Sequence, residues 1–452
     1  MTLLPSLLRE LENPNLSVDN RVELLCEAAK ALEYKGEYDE ARKLLGDYWT
    51  RIGERPNVDD LQPNTAGEIL LRAGVLTSAI GGKNEIAESQ ETAKNLISES
   101  LSIFRSRHYR KKIAEAQTEL ALCYWRTGEL NNARDLLNES LTLLATQSDV
   151  KAKAVIRLAI VKCEDTNYSD ALSELTDSAA LFEKINNETL IGSYHTILGT
   201  VLRHLWEVKR RGDYLDRALI EYAAASYHYE RSGHKCYLAN VENQLGLIYF
   251  NLNRCEEAHQ HLDRVRRIHV SLKDAGTVAQ VDETRATVFL KQGRIREAEE
   301  VARTAVYQQE KTGRHLLIAE ALVTHGRALA RLKRYGAALI AFRRAVDLAE
   351  YTDNASRAAD AALASFHELG EHLAVIEGEH LLPAGGLNEA KRSLERDVIR
   401  RALENANGSV VHAARSLKIS FQALTYMLNT RHKDLLKQRT PRAAASTEIA
   451  ML

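Results

Sequence analysis

The chain has 452 residues, a formal net charge of −1 and only 6% aromatic residues. Its length exceeds that of one ordinary hydrophobic core, which predicts either several domains or an array that grows by stacking. All six prolines lie outside residues 64–382, which argues against a sheet protein and favours packed helices, because proline removes a backbone donor from a helix.

The N-terminal segment, residues 1–19, has no basic region followed by a long apolar run, so it does not resemble a signal peptide. Elsewhere no apolar stretch approaches the ~20 residues that span a bilayer. The five cysteines, at positions 26, 123, 163, 236 and 255, are scattered without a Cys-x-x-Cys pair. This scatter favours reduced thiols over disulfides or a metal site. We therefore expect a cytoplasmic protein with no membrane contact.

Residues 20–380 carry a repeated pattern in which a small residue on a first helix precedes an alanine on a second helix. Two antiparallel helices approach closely only where their side chains are small, so these positions predict the crossing point of a helical hairpin. The spacing is 12 residues in six copies: Ala29 with Ala41, Ala121 with Ala133, Ala159 with Ala171, Gly246 with Ala258, Ala286 with Ala298, and Gly326 with Ala338.

Two further copies are irregular. Gly74 with Ala93 and Gly199 with Ala218 are 19 residues apart, which predicts lengthened helices or insertions in those hairpins. In four regular copies a turn residue stands five positions before the second alanine. A residue that tolerates a positive φ is expected there, and the sequence provides one each time: Gly36, Gly128, Asn253 and Gly293.

This pattern resembles the tetratricopeptide repeat, whose standard unit of ~34 residues carries such a pair of small residues. The second-helix alanines are 40 residues apart in four of seven steps. That longer step is similar to the extended-helix variety found in bacterial regulators that bind peptides or proteins. We predict an all-α fold, a tetratricopeptide-like helical solenoid of about eight hairpins followed by a small helix-turn-helix domain.

The concave face of such an array is lined by the first helix of each hairpin and is where partners bind. Positions −6, −3, +1 and +4 from the small residue are expected to face inward. Their amides and charges suit the backbone and termini of a bound peptide, although an ordinary solvated face is the alternative. The candidate partner-binding residues are Thr196, Arg203, Asn240, Asn243, Gln280, Glu283, Glu320 and Arg327.

The repeat pattern ends at a Pro/Gly stretch around Pro383, which we assign to a linker over residues 381–392. Residues 393–438 then carry three short helical patterns, and residues 439–452 are expected to be a disordered tail. Residues 388–452 contain 12 Lys and Arg against 6 Asp and Glu, a balance of +6, whereas the rest of the chain stands at −7. A basic end on an acidic body raises the question of nucleic-acid binding.

The first C-terminal helix has apolar residues at 394, 398, 399, 402 and 403 and ends at Gly408. Ser409 and Ser420 are good N-caps for the second and third helices. With Ala413-Ala414 on the second helix and Ile419 before the third, residues 394–430 resemble the Fis-type helix-turn-helix that ends many bacterial enhancer-binding activators.

The resemblance implies that the third helix enters the major groove and that neighbouring cations hold phosphates. It also implies a homodimer, because Fis-type modules work in pairs. For Phe421 and Tyr426, packing in the core or in a dimer is the alternative. The implied DNA contacts are Arg415, Lys418, Ser420, Phe421, Gln422, Thr425, Tyr426, Asn429, Arg431 and Lys433.

The sequence contains no motif of an enzyme. Gly81-Gly82-Lys83-Asn84 lacks both the first glycine and the hydroxyl residue of a phosphate-binding loop, and fits an interhelical turn. No nucleophile, base or metal ligands cluster at motif spacing, so we predict no catalytic residues, no metal and no cofactor.

These observations predict a DNA-binding transcription regulator whose repeat array binds a peptide, protein or small-molecule signal. The alternative is a protein-interaction adaptor or scaffold that uses its C-terminal helices for dimerisation or docking. DNA binding through several phosphates weakens steeply with salt, whereas an apolar helical contact does not.

Overall fold

The structure is a computed structural model that describes residues 3–83, 86, 88–352, 356, 360–365, 368–369, 386–406, 408–417, 419 and 421–438. Within these residues the regular structure is helical throughout, which confirms the all-α prediction. They form two compact units, residues 1–292 and 293–452. Of the described helices, none is long and apolar enough to cross a membrane.

The first unit holds fifteen helices in its described part. In chain order they are α1 (Leu3–Leu11), α2 (Val18–Glu33), α3 (Tyr38–Leu44), α4 (Pro63–Lys83), α5 (Ser89–Ser106), α6 (Arg110–Arg126), α7 (Leu130–Leu143), α8 (Asp149–Glu164), α9 (Tyr168–Asp177), α10 (Ala179–Phe182), α11 (Glu188–Lys209), α12 (Gly212–Ser232), α13 (Lys235–Asn251), α14 (Cys255–Ser271) and α15 (Ala275–Lys291). Most neighbours pair as antiparallel hairpins, from α2 with α3 to α13 with α14.

The second unit continues the repeats and adds the C-terminal module. Its helices are α16 (Ile295–Thr312), α17 (His315–Arg331), α18 (Tyr335–Tyr351), α19 (Gly386–Asn405), α20 (Val410–Ser416), α21 (Phe421–Thr430) and a final 3₁₀ turn (Lys433–Gln438). Because α19 begins at Gly386, the end of the predicted linker at residues 381–392 is helical; the boundaries stay a prediction. The predicted tail at 439–452 lies outside the described residues.

Small residues stand where paired helices approach most closely, as the sequence predicted. A Cβ added to Gly74 on α4 would lie 2.5 Å from Ile97 Cγ1 on α5. A Cβ on Gly326 of α17 would lie 2.9 Å from the Phe342 ring on α18. Real Cβ atoms do not come so near, so these crossings depend on the missing side chain.

The four predicted turn residues all have a positive φ, between 62° at Asn253 and 80° at Gly128. Glu88, Thr166 and Lys333 occupy the same position of other hairpins and adopt the same conformation, with φ of 59°, 60° and 62°. The turn geometry therefore repeats even where the sequence supplies no glycine.

The irregular spacing arises from lengthened helices. The helices that carry Gly74 and Gly199, α4 and α11, have 21 and 22 residues, whereas α13 and α17 have 17 each. Extra turns move the small residue away from its partner in sequence but leave the crossing intact. A Cβ added to Gly199 would lie only 3.2 Å from the Tyr222 ring.

Replacing Gly74 with alanine should therefore destabilise the first unit. The added methyl must displace buried Ile97, and overpacking of this kind costs about 1 to 2 kcal/mol after the gain in helix propensity. The control is Gly212→Ala on α12, where nothing lies within 4 Å of the added Cβ. Urea unfolding of both variants measures the difference; equal stability of the two would contradict the close-crossing account.

Candidate functional site

The first unit contains a cavity of about 520 Å³. Its walls come mainly from α2, α4, α6, α8, α11 and α13, which are the first helices of six hairpins. These are the helices expected to line the concave face of a tetratricopeptide array. The volume falls within the range of roughly 300–1,000 Å³ that is typical of small-molecule sites.

One side of the cavity is bounded by a contact between residues far apart in sequence, which we call the closing contact. The Oγ1 of Thr189, at the start of α11, donates a hydrogen bond to the carbonyl oxygen of Tyr34 at 2.5 Å. Gly36 packs against the His234 ring, where an added Cβ would lie 2.7 Å from Cε1. The turn between α2 and α3 thus reaches across to α11 and to the start of α13.

His234 is the buried centre of the closing contact. Its Nδ1 accepts the backbone N–H of Tyr237 at 3.2 Å and so caps α13, and its ring stacks on the Tyr237 ring with centroids 3.7 Å apart. Burial lowers the pKa of His234 to about 4, so the ring is neutral near pH 7. Tyr38 also lines the cavity, next to Tyr237. Burial and this neighbour raise the pKa of the Tyr38 hydroxyl.

The wall formed by α6 and α8 carries paired charges. Glu119 accepts hydrogen bonds from Lys153 Nζ at 2.8 Å and Arg157 Nη2 at 2.7 Å. Burial alone would raise the pKa of Glu119, but the cations Arg157 and Lys153 hold it well below its usual value. Arg126 instead donates to the carbonyl oxygen and the Oγ of Ser78, at 2.8 and 2.6 Å. Among the described residues Arg126 makes no ion pair.

The wall as a whole has a surplus of positive charge. Two carboxylates line the cavity, Glu33 and Glu119, against four cations. The cations are Arg126, Lys153, Arg157 and Arg203, and Arg203 is paired with Glu207 of its own helix. The unbalanced positive charge therefore lies on the side of α6 and α8.

Behind the wall, Arg72 joins three successive hairpins through a buried ion-pair network. Its Nη1 donates to Glu33 on α2 at 2.7 Å and its Nη2 donates to Glu115 on α6 at 3.0 Å. The Arg72 side chain is 1% exposed. Burial would raise the pKa of Glu115, but Lys30 and Arg72 hold it below its usual value. The network fixes α2, α4 and α6 side by side.

Three of the eight predicted groove residues line the cavity: Thr196, Arg203 and Asn240. The other five are not part of its wall and lie on α13 and α15 of the first unit or on α17 of the second: Asn243, Gln280, Glu283, Glu320 and Arg327. A partner-binding role for any of the eight stays a prediction.

Sequence reasoning missed most of the cavity wall, although the signal was present. The same offsets counted from Ala121 and Ala159 give Leu122, Trp125 and Lys153, all of which line the cavity. Ala159 also gives Ile156 and Ile160, and the two earlier hairpins, counted from Ala29 and Gly74, give Glu33, Val75 and Ser78.

The C-terminal module is a compact set of three helices with its own core. Ser409 caps α20, as predicted, by accepting the backbone N–H of His412 at 3.4 Å, and Gly408 has a φ of 79°. Of the apolar residues of α19, Ile399, Ala402 and Leu403 are buried, whereas Val398 is exposed at the edge of that face. The buried core consists of Ile399, Ala402, Leu403, Val410, Ala413, Ala414, Leu424, Leu428 and Leu435.

The predicted recognition helix is α21. Gln422, Tyr426 and Asn429 are exposed and lie on one face at i, i+4 and i+7. Tyr426 is 63% exposed, so it is not part of the core of this module. Thr425 is half-buried.

The remaining predicted DNA contacts flank that helix. Arg415, Arg431 and Lys433 are exposed, and Arg431 lies 3.5 Å from Glu395. Phe421 begins α21, but its side chain is outside the described residues, as are Lys418 and Ser420.

Two family models match the chain. Residues 277–350 match the model described as "Tetratricopeptide repeat", and residues 392–429 match "Bacterial regulatory protein, Fis family". Both matches fall where the sequence predicted them. A comparison with curated proteins gives no match.

Several solved structures have a similar fold. A signal-transduction ATPase with a tetratricopeptide repeat sensor from Pyrococcus horikoshii is 14% identical, with a TM-score of 0.48 over 75% of this chain and 54% of that one. Aspartyl phosphate phosphatase F from Bacillus subtilis is 12% identical, with a TM-score of 0.46 over 79% and 91%. PlcR from Bacillus thuringiensis, in complex with a peptide and DNA, is 15% identical, with a TM-score of 0.40 over 52% and 78%.

Removing the charge of Arg72 should make the first unit much less stable to unfolding. Arg72→Met leaves Glu33 buried without its cation and removes one of the cations that contact Glu115, which keeps Lys30. We therefore expect a loss of about 3 to 5 kcal/mol in the free energy of unfolding. Arg51→Met is the control, because the Arg51 side chain is 81% exposed and its pairing with Glu54 is worth about 0.5 kcal/mol or less. Chemical denaturation measures the free energy of unfolding of both variants. A decrease below about 1 kcal/mol in Arg72→Met would refute a structural role for the network.

Acidification should weaken the closing contact through His234. Its pKa is lower in the folded chain than the ordinary value of 6.5, so the unfolded chain binds the proton more readily. Stability is then complete above pH 6.5 and falls as the pH drops towards 4, by about 3 kcal/mol. His234→Asn keeps the capping acceptor but does not titrate. The free energies of unfolding of the original chain and of His234→Asn should diverge as the pH falls from 7 through 5.5 to 4.5. Parallel curves would exclude His234 as the source of the loss of stability in acid.

Proposed function

We propose that this chain, a tetratricopeptide-repeat protein with a C-terminal helix-turn-helix of the Fis type, is a DNA-binding transcription regulator whose repeat array receives a signal. The observation that carries the proposal is the presence, in one chain, of a ligand-sized cavity in the array and a helix-turn-helix with an exposed recognition face. The signal is a peptide, protein or small molecule bound on the inner side of the array.

The exposed face of α21 suits direct reading of bases. Gln422 and Asn429 carry amides, which pair bidentately with the N6 and N7 positions of adenine. Tyr426 lies between them on the same face and offers an aromatic ring and a hydroxyl. Two exposed cations of the neighbouring segments, Arg415 of α20 and Lys433 after α21, are proposed to make the phosphate contacts that set the register.

A single recognition helix of ten residues supplies few base contacts. The chain is therefore proposed to act as a homodimer, whose two-fold axis sets two such helices on half-sites about one helical turn apart. The DNA site should then be an inverted repeat, and the dimer is the unit to which a signal would be coupled.

The test is a gel shift with the full-length protein and sites selected from a random duplex library. Replacing both Gln422 and Asn429 with alanine should weaken binding to selected sites about 10- to 100-fold and leave non-selected DNA almost unchanged. Lys433→Ala should weaken both kinds of DNA alike and reduce the salt slope by about 1. Arg267→Ala, which removes an exposed charge from α14, is the control and should change neither.

Salt titration separates this function from the adaptor alternative. A homodimeric regulator loses affinity for DNA steeply as salt rises, because each phosphate contact releases a counterion. If the full chain bound no DNA at low salt, yet self-associated through α19 to α21 independently of salt, the C-terminal helices would be a docking module instead.

A further inference from the structure

The cavity of the first unit is bounded on one side by a contact that limits what it can hold. At the closing contact, the turn after α2 touches α11 and α13, so the inner face is not an open channel along the array. An extended peptide needs about 3.3 Å of free path per residue and would meet this contact within a few residues. A space of about 520 Å³ behind such a contact suits a small molecule.

The charges of the wall favour an anionic ligand. Glu119 already has two cationic partners, Lys153 and Arg157, so that cluster keeps a net positive charge. Arg126 contacts only the neutral oxygens of Ser78 and has no carboxylate partner among the described residues. A bound anion would therefore supply the countercharge that the wall lacks.

Arg126 and Arg157 both line the cavity, and Cys123 of α6 lies within the influence of both. The Cys123 thiol donates to Ser78 Oγ at 3.6 Å, the oxygen that also accepts a hydrogen bond from Arg126. Burial raises the pKa of this thiol, while the charges of both arginines oppose that rise. Arg126 is exposed, whereas the Arg157 side chain is only 12% exposed. The cationic surface thus extends from the accessible end of α6 inward.

Apart from the polar side chains of α11 and α13, much of the wall is apolar or aromatic. Trp125 and Leu122 of α6, Ile156 and Ile160 of α8 and Val75 of α4 line the same space. Apolar walls with a few placed charges are the usual composition of a site that orients a small organic ligand by one polar end.

We propose that the signal received by the array is a small organic acid, a carboxylate or phosphate with an apolar body, whose anionic group binds Arg126 and Arg157 in this cavity. The proposal rests on the proposed function, since it names the class of signal that a DNA-binding chain of this kind would respond to. It excludes an extended peptide and a protein segment as the ligand of this site.

The test uses two fluorescent probes and the full-length protein. Anilinonaphthalene sulfonate is an aromatic anion of suitable size, and phenylnaphthylamine has nearly the same body without the charge. The protein should bind one molecule of the anionic dye saturably. Arg126→Ala should weaken the anionic dye roughly tenfold and leave the neutral dye unchanged, as expected for loss of one charge-assisted hydrogen bond.

Two further variants keep the experiment decisive. Arg267→Ala removes an exposed charge outside the wall and should alter neither dye. Ala79→Trp places a large ring in the cavity and should abolish binding of both dyes. Equal loss of both dyes in Arg126→Ala, or unchanged binding in a folded Ala79→Trp, would overturn the proposal.

Competition then identifies the class of ligand. Small aromatic carboxylates should displace the anionic dye, and a library of extended peptides should not; the reverse result would overturn the assignment to a small molecule. Gel shifts of the same variants run in parallel. Dye binding without any DNA binding would refute the proposed function alone, and DNA binding without dye binding would refute only the cavity proposal.

Discussion

The close approach of paired helices at a glycine or alanine is the constraint on which the array depends. Gly246 lets Leu262 pack at 3.1 Å from where its Cβ would stand, and Gly74 and Gly326 permit still closer contacts. Hairpins of nearly constant thickness stack with their first helices on one side. That is why residues from Glu33 to Gln244, more than 200 positions apart, line a single cavity.

Charges fix the order of the first helices where close packing alone would permit sliding. Glu33 on α2, Arg72 on α4 and Glu115 on α6 are bonded in sequence, and Glu119 on α6 is bonded to Lys153 and Arg157 on α8. Each ion pair is costly to bury, and each is satisfied only when two successive hairpins are in register. The network therefore contributes specificity of stacking, whereas Arg126 stands outside it and lines the cavity.

Much of this fold is predictable from sequence because the rules are local. The spacing of Ala121 and Ala133, the glycine at 128 and the N-cap at Ser409 each depend on residues within one hairpin or one helix. The positive φ at Thr166 and Lys333 was not predictable from residue type, because the hairpin imposes it.

The cavity wall could be predicted from the sequence only in part. The inward offsets identify part of the wall. Which hairpins surround the cavity depends on the contact of Tyr34 with Thr189, and no local pattern encodes a contact 155 residues apart.

The closing contact and the ligand site share residues, and this has a thermodynamic consequence. Tyr34, Thr189 and Tyr237 take part in closing the array and also line the cavity. A ligand that touches them binds more tightly to the closed arrangement than to one in which the turn after α2 has moved away from α13. By linkage, such a ligand stabilises closure by its difference in affinity for the two arrangements, and no separate pathway is needed between site and contact. Protonation of His234 would shift the same equilibrium towards the open arrangement, because the charged ring is less stable than the neutral ring when it is buried. A ligand in the cavity is therefore expected to favour closure of the array, and acidification to oppose it.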